Sequence, residues 1–125
     1  MSTIMEKYNL SFVTIITPRR LKCASISSKK DALLNYHLGG YFLDQSIDFL
    51  IGDVLPELDK ALSGQQFDSD AGGTLSFLTV GQSTSSFSAI DESKPDISIP
   101  TQDIKDIITA WTQWVIVNNL QNNVS

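Results

Sequence analysis

The chain contains one cysteine, Cys23, and one histidine, His37, in 125 residues. A single thiol closes no internal disulfide, and one imidazole beside one thiol cannot build a zinc site from the usual nitrogen and sulfur ligands. Cations are also scarce: nine Lys and Arg stand against fourteen Asp and Glu, for a formal charge of −5. That balance argues against nonspecific nucleic-acid binding, which needs Lys and Arg to displace counterions, and it suits a basic partner. No apolar run approaches the ~18 residues that span a bilayer. The stretch Met1–Lys7 lacks the apolar segment of a signal peptide. The expectation is therefore a cytoplasmic protein with no cofactor, no metal and no membrane contact.

What is present is ordinary for a globular domain. The hydrophobic content is 42%, and a length of 125 residues fits one domain with a core that stands without disulfides. Charge divides unevenly, with +4 over residues 1–43, −6 over 44–70 and −3 over 71–125. The acidity thus belongs to the middle and C-terminal parts, where it can steer a partner.

Tyr8–Thr17 places Tyr8, Leu10, Phe12 and Ile16 on one parity and Val13 and Ile15 on the other, which predicts a strand ended by Pro18. A second strand is expected over Leu21–Ile26. Ser28-Lys-Lys-Asp31 caps a short helix through Asn35, which Gly39-Gly40 then interrupts. Ile47, Leu50, Ile51, Val54, Leu55, Leu58 and Leu62 form an unbroken stripe of period 3.6, the strongest local signal in the chain. Pro56 lies inside it and clashes with the carbonyl four residues earlier, that of Gly52. A helix kinked near Gly52–Pro56 and stopped by Gly64 keeps the stripe whole. Thr74–Val80 and Ser85–Ile90 read as a hairpin, and Asp96–Pro100 as a last strand. Thr101 is placed to cap a final helix whose stripe is Ile104, Ile107, Ile108, Trp111 and Val115, with Asp103, Asp106 and Gln113 on the solvated face. Ile116 and Leu120 fall on that polar side, and 118–125 reads as a frayed tail. The fold class is α+β: one domain, a mainly antiparallel sheet of about five strands, and two main helices.

Little catalytic chemistry is visible. A catalytic His37 would need an orienting carboxylate and a nucleophile, and near a Gly-Gly turn it reads as a partly buried or surface residue. Cys23 reads as a small buried hydrophobe. Asp68-Ser-Asp-Ala-Gly-Gly73 matches a calcium loop at positions 1, 3 and 6, but position 5 is Gly72 and position 12 is Thr79, so two ligands are missing. It reads as a turn leading into a strand. No Gly-Lys-Ser/Thr follows any glycine pair to make a phosphate loop.

Ser85-Ser-Phe-Ser-Ala-Ile90, followed by Asp96-Ile-Ser-Ile-Pro-Thr-Gln-Asp-Ile-Lys-Asp-Ile-Ile-Thr-Ala-Trp-Thr-Gln-Trp114, resembles small bacterial immunity proteins of polymorphic-toxin and contact-dependent growth-inhibition systems. The resemblance covers about residues 74–116. It implies a noncatalytic protein that binds one cognate toxin domain, often a nuclease with a basic substrate site, and occludes it. Acidic side chains then set encounter and orientation, and a few aromatic or apolar anchors dominate affinity. The candidate charges are Asp68, Asp70, Asp91, Glu92, Asp96, Asp103 and Asp106; the candidate anchors are Trp114, Ile116 and Tyr41. Ile116 and Leu120 equally support a homodimer. The alternative function is small-molecule binding between the sheet and the kinked helix. A carboxylate enzyme ranks behind both.

Overall fold

The computed structural model describes residues 3–16, 18–19, 22–43, 45–118 and 120. They form an α+β domain with two antiparallel sheets rather than one sheet of five strands. After a short helix α1 (Ile4–Lys7), capped reciprocally by Thr3 and Glu6, β1 (Leu10–Ile16) and β2 (Lys22–Ser28) pair in unbroken register from Leu10 opposite Ser28 to Ile16 opposite Lys22. The second sheet is β3 (Asp70–Gly73), β4 (Ser76–Thr79), β5 (Thr84–Ala89) and β6 (Ile97–Pro100), neighbours in that order. In β4 and β5 the inward positions are Ser76, Leu78, Ser85 and Phe87, with Leu78 opposite Phe87. This is the period-two alternation of a sheet with one covered face. Among the described residues no helix is long and apolar enough to cross a membrane.

Helix α2 (Ala32–Leu43) runs straight through Gly39-Gly40, where the sequence predicts an interruption. Its first turn is capped by Asp31, whose Oδ1 accepts the Leu34 amide at 2.6 Å. Gly40 is there for proximity: a Cβ on it would meet Ser76 Oγ at 3.0 Å, so the missing side chain lets α2 approach β4. The helix carries Leu34, His37, Leu38, Tyr41 and Phe42 into the core.

The predicted kink is a π turn. α3 (Ile47–Phe49) passes into a π-helical segment, Leu50–Val54, and then into α4 (Leu55–Leu62), ended by Gly64 at φ 81°. The Leu55 amide reaches back five residues to the Leu50 carbonyl. Wider winding of this kind relieves the clash that Pro56 imposes on a regular helix and needs no amide from it at the i−4 spacing. Leu50, Val54 and Leu58 stay on the buried side, so one helical segment continues through the proline.

β3 escaped the sequence reading, which saw a turn. Asp-Ala-Gly-Gly has neither the branched nor the aromatic side chains of a strand. Gly72 and Gly73 sit at φ 79° and 133°, and a Cβ on Gly73 would lie 1.9 Å from the Ser76 carbonyl oxygen. Only glycine fits this irregular pairing.

In α5 (Thr101–Val117) three expectations change. Thr101 does not cap: its hydroxyl donates to the Gly81 carbonyl at 2.6 Å and lies 2.8 Å from Ser85 Oγ, tying the helix start to the β4–β5 connection. Asp103 is buried, not solvated, in contact with Lys7 Nζ at 2.7 Å and hydrogen-bonded by the Tyr8 hydroxyl. Leu120 packs against the core rather than on the polar side. Trp111 is buried as expected, between Phe12 at 5.3 Å and Phe42 at 5.5 Å, ring centre to ring centre. Of the tail expected to fray, residues 119 and 121–125 lie outside the described residues.

Candidate functional site

Four of the seven carboxylates of the middle segment meet at one cleft. The π turn and the start of α4 make one wall, with Phe49, Gly52, Asp53 and Glu57; the approach to β3 makes the other, with Asp68 and Asp70; Val54 and Ala71 also line it. Its volume is about 330 Å³. Asp53 and Glu57 are one α-helical turn apart in sequence, on the face that the Leu50–Val54–Leu58 stripe leaves outside. Their i, i+4 spacing was visible in the sequence, yet neither was chosen as a site residue. What joined them to Asp68 and Asp70 was β3.

The cleft is held by its own hydrogen bonds. Glu57 Oε1 accepts the Asp68 amide at 2.7 Å, and Glu57 Oε2 meets Lys60 Nζ at 2.9 Å. Those two contacts hold the Glu57 carboxyl below its ordinary range, the Asp68 amide contributing most. Asp68 Oδ1 accepts the Asp70 amide, and Asp70 Oδ1 accepts the Gly72 amide. These Asx-type turns explain the local sequence without a metal. Asp53 makes no such bond among the described residues, and a Cβ on Gly52 meets nothing within 4 Å. The cleft therefore has an uncommitted carboxylate and an unobstructed wall.

Tyr41 is not an anchor for a partner. It is fully buried, and its hydroxyl donates to the Ala71 carbonyl at 2.8 Å, fixing β3 from below. Burial first, and then the Asp70 charge, push its pKa above the ordinary tyrosine value. Burial and the Asp103 carboxylate do the same to Tyr8. A raised folded-state pKa gives stability that is fully present below the unfolded value, about 10, and is lost as pH rises through the folded one. The urea midpoint is accordingly expected to fall once pH passes about 10, and Tyr8→Phe/Tyr41→Phe to flatten that fall. A midpoint equally steep in both proteins contradicts it.

The remaining candidates do not converge on the cleft. Asp91, Glu92 and Asp96 are exposed on the β5–β6 connection. Asp91 is occupied locally by Ser93, whose hydroxyl and amide lower its pKa. Asp106 is half-buried and accepts from Gln102 Nε2 at 3.0 Å. For Asp103, burial acts to raise the pKa, but the Lys7 ammonium and the Tyr8 hydroxyl outweigh it and hold the carboxyl below its usual range. Its role is to join α5 to α1. Trp114 is half-buried and, with Met5, Phe12, Ala110 and Val117, lines a shallow apolar groove of about 400 Å³. Ile116 is 56% exposed.

His37 is fully buried, not superficial. Nε2 lies 2.9 Å from the Pro95 carbonyl, which can only accept, so this nitrogen carries a proton; Nδ1 lies 3.1 Å from Ser76 Oγ, which can donate or accept. A serine and a histidine are thus adjacent, but both are fully buried and the third partner is a backbone carbonyl. Substrate has no access to that pair. Cys23, expected to be buried, is half-exposed on β2. Among the described residues no group of three or more His, Cys, Asp or Glu is placed to hold a metal ion.

The chain matches no protein-family model, no curated protein and no solved structure with which it was compared.

Proposed function

We propose that the chain is an immunity-type inhibitor that binds a cognate bacterial toxin domain through the acidic cleft and occludes the toxin's basic substrate site. The observation that carries this reading is the convergence of Asp53, Glu57, Asp68 and Asp70 on one open cleft in which Lys60 is the cation paired to the lining. Such a surface attracts and orients a cationic partner. The aromatic edge of Phe49 and the open space over Gly52 give a Lys or Arg side chain an apolar seat for its stem. The resemblance of residues 74–116 to immunity proteins supports the same reading.

This reading expects a toxin gene directly upstream, and the domain it encodes is the partner for the test. Asp53→Lys is expected to slow association about tenfold or more at low salt and to weaken its salt dependence. Glu92→Gln, a smaller charge change away from the cleft, is expected to slow association far less than Asp53→Lys. Gly52→Trp puts a ring into the cleft from a position whose Cβ meets nothing within 4 Å, and is expected to weaken the complex. Association unaffected by both Asp53→Lys and Gly52→Trp removes the cleft from the interface.

The second reading, a small cationic ligand, is favoured by one observation: the cleft lies between a sheet edge and the kinked helix, and its volume reaches the lower end of ligand sites. A saturating ligand, at 100 times its dissociation constant, would raise stability by about 2.7 kcal/mol. A stabilising amine whose effect is lost in Gly52→Trp selects this reading over the first.

A further inference from the structure

The two sheets treat their edges differently. β3 and β6, the outer strands of the four-stranded sheet, have four residues each. β3 is irregular at Asp70–Gly73 and carries a carboxylate. β6 is preceded by Pro95 and Asp96 and ends in Pro100. Short length, irregularity, proline and charge are the devices that stop a free edge from pairing with another chain. β1 has none of them. It is seven residues long, Leu-Ser-Phe-Val-Thr-Ile-Ile, regular in register, without charge, proline or glycine. Among the described elements β2 is its one strand partner; α1 adjoins it and Trp111 and Trp114 of α5 pack on Phe12, whereas α2 lies beside β2. Val13, Ile15 and Ile16 are 45%, 48% and 66% exposed on this strand.

An edge of this kind presents alternate amides and carbonyls to any strand laid beside it. We infer that β1 pairs antiparallel with β1 of a second copy of this chain, joining the two hairpins into a four-stranded sheet across a two-fold axis. Antiparallel pairing makes a strand complementary to itself, because the two-fold that relates the strands also relates their hydrogen bonds. The absence of charge from Leu10 to Ile16 matters here, since a two-fold brings a side chain near its own copy and a charged strand would oppose like with like. The paired strand is ~24 Å long. The groove of Met5, Phe12, Trp114 and Val117 continues from it through Phe12. Strand and groove together form the contact, and a specific dimer needs roughly 500 Å² or more from each copy. None of these residues lines the acidic cleft, so the inference stands or falls apart from the proposed function.

Sedimentation of the purified full chain across a micromolar-to-millimolar series tests it. The expected mass rises from 13.8 kDa to twice that value, and amides of β1 become slower to exchange as the dimer fills. Val13 and Ile15 are exposed, and Val13, the middle residue of β1, lies nearest the two-fold, so Val13→Lys brings a cation beside its own copy while Ile15→Lys adds one charge on either side of it. Each is expected to shift the dimer midpoint at least tenfold upward, with the circular dichroism and melting temperature of dilute protein unchanged. A wild-type mass of 13.8 kDa throughout the series overturns the inference. So does a dimer of unaltered midpoint in both variants, which would place the contact elsewhere.

Discussion

Trp111→Ala is expected to destabilise the fold by about 3–5 kcal/mol, the range for removing a large aromatic from a close-packed core. Trp111 is 1% exposed and joins three parts of the molecule: Phe12 of the hairpin, Phe42 of α2 and Trp114 of its own helix, at 5.3, 5.5 and 6.0 Å between ring centres. Among the described residues the hairpin has no strand pairing with the larger sheet, and this aromatic group ties it to α2 and α5. The Trp111 Nε1 hydrogen finds no acceptor among the described residues, and losing it is no penalty. Trp111→Phe should therefore cost much less than Trp111→Ala, about 1–3 kcal/mol for the volume alone. Trp114→Ala, at a half-buried position, should fall below Trp111→Ala. Denaturant unfolding of the three variants checks the order; Trp114→Ala matching Trp111→Ala would put both indoles in the core to the same degree.

His37→Ala is expected to cost about as much, about 3–5 kcal/mol, through a cavity together with two stranded polar groups. The ring bridges Ser76 on β4 and Pro95 before β6, and lies parallel to Phe87 at 6.0 Å. His37→Phe separates the two contributions. It restores most of the volume but leaves the Ser76 hydroxyl and the Pro95 carbonyl unpaired, so about 2–4 kcal/mol should remain lost. If His37→Phe were as stable as the natural chain, the two hydrogen bonds would contribute nothing net. Neither variant is expected to alter association with a partner at the cleft, beyond what loss of folded protein explains.

Several elements were legible because one physical signal governed each. The Leu50–Val54–Leu58 stripe survives the proline, so period and bend could both be read, and the core role of Trp111 follows from its phase. The α+β class followed from the order of strand and helix patterns. Other features depended on long-range contacts that no local pattern carries. Gly39-Gly40 read as a break because the close approach of Ser76 to α2 lies thirty-odd residues away in sequence. Tyr41 read as an anchor because aromatic residues serve cores and interfaces alike; only burial assigns it to the Ala71 carbonyl. Asp103 sits at helical phase opposite the stripe, but α1 folds across that side and brings Lys7 and Tyr8 to it. Of the cleft, Asp68 and Asp70 were found by composition, while Asp53 and Glu57 were hidden among helix-face carboxylates until β3 supplied the opposite wall.

The π turn also restricts how this chain can change over generations. It holds one residue more than the α-helical turn it replaces, as though a single codon had been inserted beside Asp53. Deleting Gly52 would wind the segment back to regular α geometry, and the ring of Pro56 would then press on the carbonyl four positions before it. The extra residue and the proline consequently hold each other in place. Reverting the cleft wall requires the proline to be replaced before the residue is removed, so the order of change protects the widened groove.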